Sequence, residues 1–246
     1  MAFAQSAARR PIEGAVATMG VSDRVAFLRK TYTHLGIALI AFAAITAGMM
    51  RFMTETSLGF SKWALEGRWN WFLVLGLFMV TGVVAEKLAR SQTSRGLQYL
   101  GLGIAVIAEG ILLQPMLWIA MYRFGAHDAF KIITEAGVIT MLIFVGLTLT
   151  VFVTKKDFSF MRGVLMICSF GALGVIVASL AFGFQLGAVF SGLMILLMAG
   201  YVLYQTSLVM SYFPPQGYVA ASLMLFSTIA TLFWYVLRLM MELNRR

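Results

Sequence analysis

Charge is what this chain has least of. Only 12% of its residues are Asp, Glu, Lys or Arg, against 61% hydrophobic, and none of the four charged types nor His occurs between Arg162 and Arg238. A water-soluble domain of 246 residues could not hide that much apolar surface. There is one cysteine, Cys168, so an intramolecular disulfide framework is excluded, and its place within an apolar run makes it a small core residue. Only two histidines are present, and neither His34 nor His127 neighbours a serine or cysteine in a nucleophile motif. Metalloprotease, paired-aspartate, serine-hydrolase and phosphate-loop patterns are all missing, so the chain is not read as an enzyme and calls for no cofactor or metal. No basic patch interleaved with exposed aromatics speaks for nucleic acid.

What is present is a series of long apolar runs, each able to cross a bilayer core about 30 Å thick as a helix of about 20 residues. The fold class is therefore all-α, a polytopic membrane protein with seven transmembrane helices, expected over 32–50, 70–88, 97–121, 134–153, 162–182, 188–210 and 217–240. Polar or basic linkers are expected over 51–68, 87–95, 123–131 and 154–160, while Gly, Pro and Gln alone punctuate the later spans. Residues 1–30 read as a cytoplasmic tail and interfacial segment, residues 31–246 as the transmembrane domain. Arg9, Arg10, Arg24, Arg29 and Lys30 precede the first span, and the Lys and Arg of the short loops favour an internal N-terminus. The basic C-terminus dissents. The net charge of +9, spread over loop ends, suits positive-inside anchoring and a partner surface of anionic lipid.

One acid interrupts the third run. Glu109 is the only charged residue between Leu97 and Tyr122. A charged carboxylate at mid-bilayer costs a few kcal/mol, about 2.5–3.5 on insertion scales, so such groups face the bundle interior, where they are paired, hydrated or protonated. Gly101 or Leu102 and Ala105 share its stripe, small enough there for a neighbouring helix to approach closely. Pro115 frees the carbonyl of Ile111 and predicts a kink. The bland alternative is a neutral glutamic acid hydrogen-bonded across the bundle. Glu86 pairs with Arg90 at i,i+4. In the last two spans Tyr201 and Gln205 lie one turn apart, and Thr228, Thr231 and Tyr235 form a stripe. Interhelical hydrogen-bond glue is the default for such groups, a water-filled path bounded by Glu109 the sharper reading.

Several segments together resemble one family. "FLRKTYTHLG" (27–36), "AEGILLQPML" (108–117), "EAGVITMLIFVGLTLTVFVTKKDFSFM" (135–161), "LYQTSLVM" and "LFSTIATLFWYVLRLM" are similar to the Bax inhibitor-1 (transmembrane Bax inhibitor motif) family, in its bacterial YccA-like branch. The resemblance implies six helices around a central seventh, and a location in the bacterial inner membrane. It implies a pH-sensitive calcium leak governed by two aspartates in the last two helices, a role in stress response, and for this branch modulation of a membrane-bound protease. Where those aspartates are expected, this chain has Gln205 and Thr228, which cannot titrate. Calcium prefers several oxygen ligands with negative charge among them. Two classes of function follow. One is a leak pathway for calcium or protons, with Glu109, Gln205, Thr228 and Thr231 as the ion-path or pH-sensing residues. The other is a non-conducting regulator that binds membrane proteins, a protease among them.

Overall fold

The structure, a computed structural model, describes Thr18 and residues 20–244. Most of the tail expected over 1–30 falls outside them. Seven α-helices follow in order: α1 (Val21–Phe52), α2 (Thr54–Glu66), α3 (Arg68–Ala89), α4 (Arg95–Thr154), α5 (Arg162–Phe182), α6 (Ala188–Ser211) and α7 (Tyr218–Leu243). No strand occurs among the described residues. Among the described residues, six helices are long and apolar enough to cross a membrane.

The 60-residue α4 is two arms rather than one rod. Gly125 has φ 78° and ψ 165°, a backbone state that glycine alone adopts cheaply. Tyr99 and Phe152 would lie about 80 Å apart on a straight helix. Instead the Tyr99 hydroxyl is 3.0 Å from His34 Nε2, and the Phe152 ring is 5.7 Å from that of Tyr32. Both ends of α4 thus meet the same stretch of α1, so the arms 95–124 and 126–154 run antiparallel. With each arm long enough to cross, the chain makes seven crossings. The linker expected over 123–131 is accordingly a helical corner turned at one glycine.

The linker expected over 51–68 is a helix as well. α2, at 13 residues, extends about 20 Å and is too short to span. Its serines face inward. Ser57 donates to Gln114 Oε1 at 2.7 Å and accepts from Trp118 Nε1 at 2.8 Å, while Gln114 Nε2 reaches the carbonyls of Thr46 and Gly110. This satisfied amide pins α1, α2 and α4 together. Polar residues spaced along a short helical face look like a linker when no periodic apolar run accompanies them, which is why hydropathy alone missed α2.

α7 is the centre of the bundle: 72% of its most apolar 18-residue window is buried, against 6% for α5. It packs against α1, α3, α4 and α6, and Leu225, Phe226, Leu232 and Leu237 on it are wholly enclosed. α5 packs on α6 and α3 and makes no backbone approach to α7 within 8 Å. Its outer face carries Cys168, which is exposed rather than a core residue. Lipid-facing and protein-facing positions of a spanning helix are equally apolar, so residue type could not tell them apart.

Small residues set the closest helix approach. Gly101 lies against α3, where Ala85 and Ala89 are fully enclosed, and Ala105 on the same stripe is buried. Pro115 passes through α4 without a break, since the non-helical dihedrals of that helix are at Gly125. At the surface, Arg90 and Glu86 pair at 2.8 Å.

Between α4 and α5 the chain turns on Asp157. Its Oδ1 accepts from the Ser159 N–H at 2.8 Å and the Ser207 hydroxyl at 3.0 Å, and its Oδ2 from the Tyr212 hydroxyl at 3.1 Å. Partial burial works against the charge, but those donors outweigh it and hold the carboxyl below its ordinary range. A depressed carboxyl contributes stability that is fully present above its unfolded value, about 3.9, and lost as pH falls through the lower folded one. The wild type should therefore lose unfolding temperature relative to Asp157→Asn as pH falls below about 4, since the variant lacks that titration. Equal acid sensitivity in the two would remove Asp157 from the account.

Candidate functional site

Where α5 stands away from α7, a cavity of about 690 Å³ remains. α4 supplies Glu109, Met116 and Ile119 to its wall; α3 supplies Phe78; α5 supplies Ile176; α7 supplies Thr231, Trp234 and Tyr235. Trp71 of α3, also in the lining, stacks on Trp234 with centroids 6.3 Å apart. Glu109 lies deepest along its arm. Arg123, 14 positions on and also in the lining, is about 21 Å further along the axis. The cavity is thus elongated along the bundle, with apolar walls, one acid inside and Arg123, Arg238 and Glu242 towards its end.

Glu109 is buried, 9% exposed. Among the described residues no hydrogen bond or ion pair is made to it. Its helix neighbour Gly110 faces the other way, towards Thr46 of α1, where an added Cβ would come within 3.3 Å of Oγ1. α1 and α3 therefore clamp the two small-residue faces of this arm, and Glu109 is left to the gap. Sequence reasoning placed the carboxyl inward and left it paired, hydrated or protonated; it is buried and faces the cavity without a bonded partner among the described residues.

The end of that cavity is tied by two arginines. Arg238 of α7 donates to the carbonyl of Leu186 and lies 3.5 Å from Glu242, and Arg68 of α3 donates to the carbonyl of Ala181 at 3.2 Å. Both hold the α5–α6 connection, where Gly183 takes φ 79°. Arg238 went unremarked in the sequence as anything but a terminal basic residue. Its only signal was its position as the first charge after a 75-residue gap, since residues 163–237 carry none.

Of the other sequence candidates, Thr231 lines the cavity and satisfies its own hydroxyl on the Ser227 carbonyl at 2.8 Å. Gln205 and Thr228 meet each other: the Thr228 hydroxyl donates to Gln205 Oε1 at 2.8 Å, with the Met224 carbonyl at 3.3 Å. Both are buried, and neither lines the cavity. Tyr201 bonds Ser169 of α5 at 2.9 Å rather than Gln205. The four candidates thus form two groups: Glu109 with Thr231 on the cavity wall, and Gln205 with Thr228 in a neutral bond between α6 and α7.

A seven-crossing helical bundle with a central, enclosed last helix and an acid on the wall of a cavity between α3, α4, α5 and α7 defines a polytopic membrane protein. The chain belongs to the Bax inhibitor-1 family: the profile of the family described as "Inhibitor of apoptosis-promoting Bax1" matches residues 24–246. It is 30% identical over 230 residues to Bax inhibitor 1 of Schizosaccharomyces pombe, covering 92% of this chain and 79% of that protein. Protein lifeguard 4 of Mus musculus is 24% identical over 236 residues, 94% of this chain and 91% of that one. Protein LIFEGUARD 3 of Arabidopsis thaliana is 26% identical over 240 residues, 90% and 86%.

Proposed function

We propose that this protein is a cation leak pathway, for calcium or protons, shut in the conformation described. The observation that carries the reading is Glu109, a buried acid with no protein partner on the wall of a cavity. Acids in membrane interiors are costly to insert, and they mark ion pathways and proton relays. Past Arg123, Arg238 and Glu242 at the end of the cavity, a cation meets Glu109 and the Thr231 oxygen, the rest of its ligands being water, a set that suits weak and transient binding. Beyond it, the enclosed apolar face of α7 and the Gln205–Thr228 bond close the route. Opening would require α6 and α7 to part at that bond.

The test is calcium and proton flux into liposomes holding the purified protein, at acidic and neutral pH. Glu109→Gln keeps the shape and removes the charge, and should lower flux about tenfold, equivalent to about 1.4 kcal/mol. Equal flux in both proteins would sink the role of Glu109. If neither conducts, the second reading takes over: a non-conducting regulator of membrane proteins, a membrane-bound protease being one candidate partner. The neutral Gln205–Thr228 pair favours that reading, because nothing in it binds calcium strongly or titrates.

A further inference from the structure

At the opposite end of the bundle from Arg238, three helices meet through one histidine. His34 of α1 is half-buried, its Nδ1 2.7 Å from the Lys30 carbonyl and its Nε2 3.0 Å from the Tyr99 hydroxyl of α4. The Tyr99 hydroxyl is in turn 3.4 Å from that of Tyr218, the first residue of α7. The His34 ring lies 5.0 Å from the Tyr218 ring, and the Lys30 ammonium sits over the same ring at 5.6 Å. A carbonyl only accepts, so Nδ1 carries the proton of the neutral imidazole and Nε2 accepts from Tyr99. The chain of donors then runs from Tyr218 through Tyr99 to His34.

We infer that His34, Tyr99 and Tyr218 form a pH-operated clasp at the start of α7, whose hydrogen bonds reverse direction when His34 takes up a proton. Imidazolium has two donors and no acceptor. The added proton, taken from water, stays on Nε2 and is donated to the Tyr99 oxygen. The Tyr99 proton can then no longer point at Nε2; turned to the Tyr218 oxygen 3.4 Å away, it displaces the Tyr218 proton to a new acceptor. The charge arrives in a basic setting. The charged and titratable groups facing the cluster are Lys30 from α1, Tyr99 and Arg95 from α4, and Tyr218 from α7. No carboxylate among the described residues is bonded to any of these side chains. Two cations would then share one tyrosine ring, so Lys30 leaves it.

Histidine is the side chain whose ordinary charge change falls between about pH 5 and about pH 8. Gln205 and Thr228 cannot respond in that window, and Tyr218 opens the helix that carries Thr228 and Thr231. The clasp therefore gives α7 an acid-responsive contact outside the cavity.

Infrared difference spectra between about pH 8 and about pH 5, taken on the full chain in liposomes, test this without reference to flux. The clasp thus stands or falls separately from the leak reading. In a His127→Gln background, where His34 is the only histidine, acid should produce histidine protonation bands together with shifted tyrosine bands. His34→Gln should abolish the tyrosine shift. Tyr99→Phe, which leaves His34 in place, should keep the histidine bands and lose the Tyr99 part of the tyrosine shift, leaving only the part that comes from the Tyr218 ring beside His34. Histidine protonation without a tyrosine shift in the His127→Gln protein would overturn the proposal. So would a tyrosine shift that survives in His34→Gln, or one that Tyr99→Phe leaves undiminished.

Discussion

Gln205→Asp combined with Thr228→Asp should create or strengthen calcium passage that changes between acidic and neutral pH, raising flux about tenfold over wild type at its better pH. The two side chains already touch, Thr228 Oγ1 to Gln205 Oε1 at 2.8 Å, so two aspartates there would face each other across α6 and α7. Carboxyls so close titrate as a pair that shares a proton, and together they offer calcium the charged oxygens that an amide and a hydroxyl do not. The single variants separate the effect. Either aspartate alone gives a lone acid beside a neutral partner, so the gain should be non-additive and largest in the double variant. Flux unchanged across pH in the folded double variant would sink the idea that these positions guard a path.

Gly101→Ala should cost about 1–3 kcal/mol of stability, as core overpacking does. A Cβ at Gly101 would lie 2.5 Å from the Ala85 carbonyl oxygen, 2.7 Å from the Ala89 nitrogen and 3.0 Å from Leu88 Cβ. Two of those three are backbone atoms of α3, which can yield only by moving the helix. Gly103→Ala is the internal comparison: nothing lies within 4 Å of its added Cβ, and alanine is about 1 kcal/mol the better helix former. Thermal unfolding in detergent should therefore place Gly101→Ala well below wild type and Gly103→Ala at or above it. Indistinguishable midpoints for the two variants would show that α3 and α4 are not held at the spacing described.

Much of this was legible in one dimension. Charge depletion and the length of the apolar runs marked the seven crossings, and the Gly101–Ala105 stripe pointed Glu109 inward. Motifs such as "AEGILLQPML" placed the family. Other features had no linear signal. Gln205 and Thr228 are 23 positions apart, and only the packing of α6 on α7 brings them to hydrogen-bond distance. α2 and the Gly125 corner were mistaken for linkers because hydropathy records whether a segment can cross lipid, not whether it is helical beside a crossing. Cys168 was assigned to the core because the outside of a membrane protein is as apolar as its inside.

Long apolar runs with a single acid among them already require helices that cross a membrane and a carboxyl turned inward, because burying charge in lipid costs free energy whatever the fold. Tertiary structure decided what that acid meets. α5 rests on α6 and α3 instead of α7, leaving a cavity at Glu109, and which helix stands off is set by side-chain packing summed over the whole bundle, a quantity that no single stretch of residues contains.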